Sequence, residues 1–116
     1  MMTTTTRWKD DIVILAPTGK IIGDAIPELR ETMTKQIDTT YTPRILIDLE
    51  HVRRMDSSGL GLLIHAHTAV RQRNGHIGVI NVGKHIRNLI VQSRLLCLFE
   101  HFDTEDAAIT ALSSRH

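Results

Sequence analysis

A short apolar run, a capping motif and a helical stripe follow one another between Arg44 and Val70. No other stretch restricts the fold so much. Arg44-Ile-Leu-Ile-Asp-Leu49 is a buried-strand pattern, apolar and rich in β-branched residues. Leu60, Leu63, Ile64 and His67 recur at helical spacing, and Leu62, Ala66, Ala69 and Val70 widen the stripe. Between them stands Met55-Asp56-Ser57-Ser58-Gly59-Leu60-Gly61. Asp and Ser oxygens accept the unpaired amides of a first helical turn, so Asp56 reads as the N-cap and Ser57, Ser58 and Gly59 as that turn. A hydroxyl there lies in the positive field of the helix N-terminus, which favours a phosphate attached to it.

Strand and helix signals alternate along the rest of the chain. Thr3–Lys9 is an expected edge strand, turning at Asp10-Asp11 into Ile12–Leu15 to make a hairpin that Pro17 and Gly19 close. Asp24 is the expected cap of a helix reaching Ile37, with Ile26, Leu29, Met33 and Ile37 on one face and Pro27 tolerated in the first turn. Asn74-Gly75 stops the central helix and leads into a strand over His76–Val82. Ile86, Leu89, Ile90 and Ser93 mark a third helix, and Phe99–Phe102 a short last strand. Asp103 or Thr104 caps a terminal helix whose buried face is Ala108, Ile109 and Leu112. The order implies a mixed α/β sheet with an N-terminal hairpin, covered on at least one face by about four helices. Ile45–Leu49 and Ile77–Val82 should be parallel neighbours joined through the central helix. A chain of 116 residues is long enough for one core and too short for two, so one domain over residues 1–116 is expected, its core spanning about 12 to 112.

Composition excludes several classes of function. A net charge of +1 and 3% aromatic residues recommend neither nucleic acid nor a charged membrane surface as the partner. No run approaches the roughly 18 apolar residues of a membrane span, and the threonine-rich start lacks a secretory core, so a cytoplasmic location is expected. The single Cys97 excludes an internal disulfide and reads as a small buried hydrophobe. Seven histidines invite a metal, but His65 and His67 point to different sides of a helix and the others are scattered, so no metal or cofactor is expected. A serine-hydrolase elbow needs Gly two residues before the nucleophile, where Asp56 stands, and no phosphate-binding Gly-x-x-x-x-Gly-Lys-Ser/Thr occurs.

Two readings of the central motif stay open on the residues alone. Ser57, Ser58 and the glycines can simply cap a helix and let it pack closely. Alternatively Ser58, flanked by the small Ser57 and Gly59 and with Gly61 bare, is an accessible acceptor for phosphorylation. Asp56 is a cap, or it orients the hydroxyl or the metal–nucleotide of a kinase. Arg53 and Arg54 are solvated charge, or contacts to a phosphate or an acidic partner.

The heptapeptide resembles the signature of the anti-sigma factor antagonists, bacterial members of the STAS domain family. Gly19-Lys-Ile-Ile-Gly-Asp24, Ile47-Asp-Leu49 ahead of Asp-Ser-Ser-Gly, and Gly75-His-Ile-Gly-Val-Ile80 fall in that family's order. The resemblance implies a STAS-like fold, a non-enzymatic role and phosphorylation at Ser58, the serine directly before the first glycine, by a partner anti-sigma factor serine kinase. It also implies a PP2C-type phosphatase as counterpart, and a partner-binding surface of Gly23, Asp24, Asp56, Ser57, Ser58, Gly59 and Gly61. Arg53-Arg54 is more charged than the family usually is there, so no role carries over. Ser93-Arg94-Leu95 has arginine where the family tends to have glycine. The alternatives are a regulatory subunit of a larger signalling or transporter assembly and, from another class, a small hydrolase or nucleotide-binding enzyme.

Overall fold

The computed structural model describes residues 3–92 and 100–113. Among these residues ten elements follow one another: β1 (Thr3–Lys9), β2 (Ile12–Ile21), α1 (Ala25–Asp38), β3 (Arg44–Asp48), β4 (Val52–Met55), α2 (Ser57–Gln72), β5 (His76–Ile80), α3 (Lys84–Gln92), β6 (Glu100–Phe102) and α4 (Glu105–Ser113). The six strands form one sheet in the order β1-β2-β3-β5-β6, with β4 paired to the far end of β2. The hairpin β1–β2 is antiparallel, its turn made by Asp10 at φ 56, and every other pairing is parallel. As expected, β3 and β5 are parallel neighbours, Ile45 opposite Ile77 and Ile47 opposite Val79, with α2 as the crossover.

Alternation along the strands sorts the core into two layers. Val13, Leu15, Ile45, Ile47, Ile77 and Val79 point to one face and bury the stripes of α1, α2 and α3, including Leu29, Met33, Leu63, Val70 and Ile90. Ile12, Ile14, Leu46 and Ile80 point to the other face, which Ala108, Ile109 and Leu112 of α4 cover. Helices therefore cover both faces. Full burial of each of these aliphatic side chains stabilises the fold by about 1.5–3 kcal/mol before the entropy cost is counted.

Three sequence expectations are corrected, and one strand has no sequence expectation behind it at all. The second strand does not stop at Pro17 and Gly19 but continues to Ile21. Pro17 falls between the last residue paired with β3, Leu15, and the first paired with β4, Gly19, so its missing N–H breaks no ladder on that side. Gly19, at φ 112, takes up the register shift that turns β2 toward β4. Strand β4 itself has no sequence signal, because its ends are buried and its two central arginines exposed rather than alternating. Asp24 occupies the N-cap of α1 but makes no side-chain capping bond. Strand β5 ends at Ile80, where Asn81 at φ 57 takes the chain out of the ladder and donates to the buried Asp48 at 3.0 Å. By contrast, Asn74 at φ 59 ends α2 as its sequence implies, and the Gly75 N–H returns to the Val70 carbonyl at 2.9 Å. Thr104 caps α4 by accepting from Ala107 N–H at 3.1 Å. The readings on Ser93-Arg94-Leu95, Cys97, Phe99 and His116 lie outside the described residues.

Candidate functional site

The parallel pairing of β2 with β4 brings two chain crossings to one end of the sheet. Ile21 is opposite Met55, so the loop Ile22-Gly23-Asp24 leaves the sheet beside the start of α2. The Asp56 N–H donates to the Ile21 carbonyl at 3.4 Å, and Gly23 turns the loop at φ +44. Asp56 has an extended backbone, φ −105 and ψ −172, and its carboxylate accepts from Gly59 N–H at 3.0 Å. Its carbonyl takes the first helical bond, from Leu60 N–H at 3.1 Å. Asp56 is thus the N-cap that its position implies.

The first turn of α2 has two sides. Gly59 is buried against β2: a Cβ there would lie 2.6 Å from the Ile21 carbonyl oxygen and 2.7 Å from Met55 Cγ. Ser57, Ser58 and Gly61 are exposed on the outer side. Nothing lies within 4 Å of a Cβ added at Gly61. The close seat at Gly59 fixes the rotation of the helix, and that rotation turns both hydroxyls to solvent. Helix geometry leaves the amides of the first residues without partners inside the helix, so a negative group on Ser57 or Ser58 would meet donors and the positive end of the dipole.

Beside this turn runs a groove of about 640 Å³ lined by Lys20, Ile22, Gly23, Asp24, Ala25, Glu28 and Arg53. Gly23 and Asp24 are exposed along it. The structure therefore gathers Gly23, Asp24, Asp56, Ser57, Ser58, Gly59 and Gly61 at one end of the sheet, with Gly59 as a buried spacer rather than an exposed contact. Lys20 and Glu28 join them without any sequence expectation. The signal that could have found Lys20 is the continuation of β2 through Gly19, which places it beside Arg54, whereas Glu28 enters from the first turn of α1. Among the described residues no three His, Cys, Asp or Glu side chains gather as a metal site would require, and no helix is long and apolar enough to cross a membrane.

The STAS domain family model matches residues 3–108. The chain belongs to the STAS domain family. This STAS domain is 26% identical over 101 residues to the anti-sigma F factor antagonist of Paenibacillus polymyxa, covering 87% of this chain and 86% of that one. It superimposes on an anti-sigma factor antagonist from Mycobacterium paratuberculosis with a TM-score of 0.84 at 25% identity, over 98% and 96% of the two chains. The anti-sigma factor antagonist SpoIIAA shares the fold in both its unphosphorylated form (TM-score 0.75, 20% identity, 97% and 100% covered) and, from Bacillus, its phosphorylated form (0.72, 21%, 94% and 98%).

Proposed function

We propose that this STAS domain is an anti-sigma factor antagonist switched by phosphorylation of Ser58. Unmodified, it binds an anti-sigma factor that is also a serine kinase, and a sigma factor is thereby freed. Phosphorylated by that kinase, it binds poorly until a PP2C-type phosphatase restores it. The role is regulatory and cytoplasmic, with no chemistry of its own. The observation that carries the reading is the exposure of Ser58 in the first turn of α2, beside the Gly23-Asp24 loop and over a buried Gly59. The names of the relatives support the antagonist role, and the two forms of SpoIIAA support a phosphorylated state for such a fold.

The physical basis of the switch is desolvation. A phosphate brings about −1.5 to −2 charges to a surface that a partner must cover, and burying that charge without matching donors is costly. The fold itself tolerates the phosphate, because the helix N-terminus favours it. Incubation with the kinase and ATP should add one phosphate, mapped by tryptic mass spectrometry to Ser58 and not Ser57, and absent in Ser58→Ala. Calorimetric titration against the kinase should then rank wild type and Ser58→Ala as tight binders, Ser58→Asp as weaker and the phosphorylated protein as weakest. Equal binding by all four would remove Ser58 as the switch and favour a regulatory subunit of a larger assembly.

A further inference from the structure

Charge is segregated along this chain in a way that its net value of +1 conceals. Val52 to Gln92 contains six Lys and Arg residues and a single acid, Asp56. Arg71 and Arg73 lie at the C-terminal end of α2, and Arg73 faces Asp38 across 3.8 Å. The other four, Arg53, Arg54, Lys84 and Arg87, are exposed at the opposite end, on β4 and the start of α3. Helix α3 packs beside β4, and Lys20 of β2 is in register with Arg54. Among the described residues none of these five cations has an acidic partner within salt-bridge distance. Of the acids nearest Arg53 and Arg54 in sequence, Asp56 is occupied in capping α2 and Glu50 faces His51 across 3.8 Å. Arg53 and Arg54, consecutive in β4, project to opposite sides of the strand, so the cations share one end of the sheet. Unpaired like charges there repel one another rather than stabilise the fold, and their effect is on what approaches that end.

We propose that the basic end of the sheet, formed by β4 and the start of α3, docks an acidic protein surface, carried by the partner that contacts Ser58. This inference rests on the reading of the Ser58 site given above. The continuity is direct, since β4 ends at Met55 and α2 begins at Ser57. A protein surface fits better than a nucleic acid backbone. Asp24 and Glu28 share the adjoining groove with Lys20 and Arg53, and a uniform line of phosphates would be repelled there. No Phe, Trp or Tyr occurs between Val52 and Gln92 to stack on a base. Val91, one helical turn beyond Arg87, is 50% exposed and offers the apolar contact of a protein interface. The same basic end gives phosphorylation of Ser58 a second effect. Its negative charge offsets the field that attracts an acidic partner, so encounter slows as well as contact weakening.

Charge-reversal variants test this directly. Arg53→Glu/Arg54→Glu and Lys84→Glu/Arg87→Glu, each shown by thermal melting to fold, are compared with Arg53→Lys/Arg54→Lys/Arg87→Lys. Stopped-flow association with the anti-sigma factor kinase should slow about ten- to a hundredfold in either reversed pair at low ionic strength, and remain near wild type in the lysine variant. The wild-type rate should fall with added salt and the reversed rates should not. Poly-L-glutamate serves as a probe independent of the kinase, and wild type should retain it while the reversed pairs release it. Unchanged association in both reversed pairs, in a kinase that still discriminates Ser58→Asp, would overturn the docking at the basic end and leave the Ser58 switch standing. A kinase that does not bind wild type, with poly-L-glutamate still held through the four cations, would overturn the switch and the shared partner but support an acidic protein partner. Stronger retention of duplex DNA or anionic phosphatidylglycerol vesicles than of poly-L-glutamate would overturn the protein partner.

Discussion

Gly59 and Ile21 stand so close that a Cβ on the glycine would lie 2.6 Å from the Ile21 carbonyl oxygen. That oxygen belongs to the backbone at the end of β2 and accepts the Asp56 N–H, so it cannot move aside cheaply. The contact docks the first turn of α2 onto the sheet and sets which residues of that turn face solvent. Gly59→Ala should therefore destabilise the protein by about 1–3 kcal/mol through overpacking. Gly61→Ala meets open space and should stabilise it by about 0.5–1 kcal/mol, the helical preference of Ala over Gly. Denaturant unfolding of the two variants checks the opposite signs; like signs would mean that the helix is rotated from the position described.

The two candidate caps should respond differently. Asp56→Ala removes an acceptor 3.0 Å from Gly59 N–H and should cost about 0.5–2 kcal/mol. Asp24→Ala removes no capping bond and should stay within about 0.5 kcal/mol of wild type. Equilibrium urea titration of both proteins separates these outcomes. If Asp24 also matters to partner binding, its variant should fold normally and bind weakly.

Ser58→Asp should leave the domain at least as stable as wild type, because a carboxylate in the first turn interacts favourably with the helix dipole by about 0.3–1 kcal/mol. Leu63→Ala, one turn further and 1% exposed, should cost about 2–5 kcal/mol. Paired thermal melts decide this, and a Ser58→Asp protein less stable than Leu63→Ala would contradict the exposure of Ser58.

His67 on α2 has its pKa lowered from the ordinary 6.5, first by burial and then by the positive charge of Arg71. The folded state binds its proton less readily than the unfolded chain. Its contribution is therefore complete above 6.5 and is lost as pH falls through the lower folded value. His67→Gln should flatten the fall in melting temperature just below pH 6.5, measured by melts at closely spaced pH values. An unchanged slope would show that His67 titrates alike in both states.

The amino-acid order by itself determined the hairpin, the alternation of strands and helices, the parallel placement of β3 beside β5, and the Asp56 cap of α2. The hairpin, the alternation and the cap depend on periodicity or on side-chain bonds within a few residues, and the β3–β5 placement follows from the crossover rule for a strand–helix–strand order, so a linear reading carries them all. Only the tertiary structure decided that β2 runs through Pro17 and Gly19 to meet β4. A four-residue strand with two exposed arginines has no period of its own, and it exists because β2 supplies its backbone partners. That pairing brings Gly23 and Asp24 to Ser58, puts Lys20 next to Arg54, and leaves Asp24 at a helix start without a capping bond. Local sequence marks where a helix begins. Which loops and charges stand beside that beginning depends on contacts between residues more than thirty positions apart, and these exist only once the sheet has assembled.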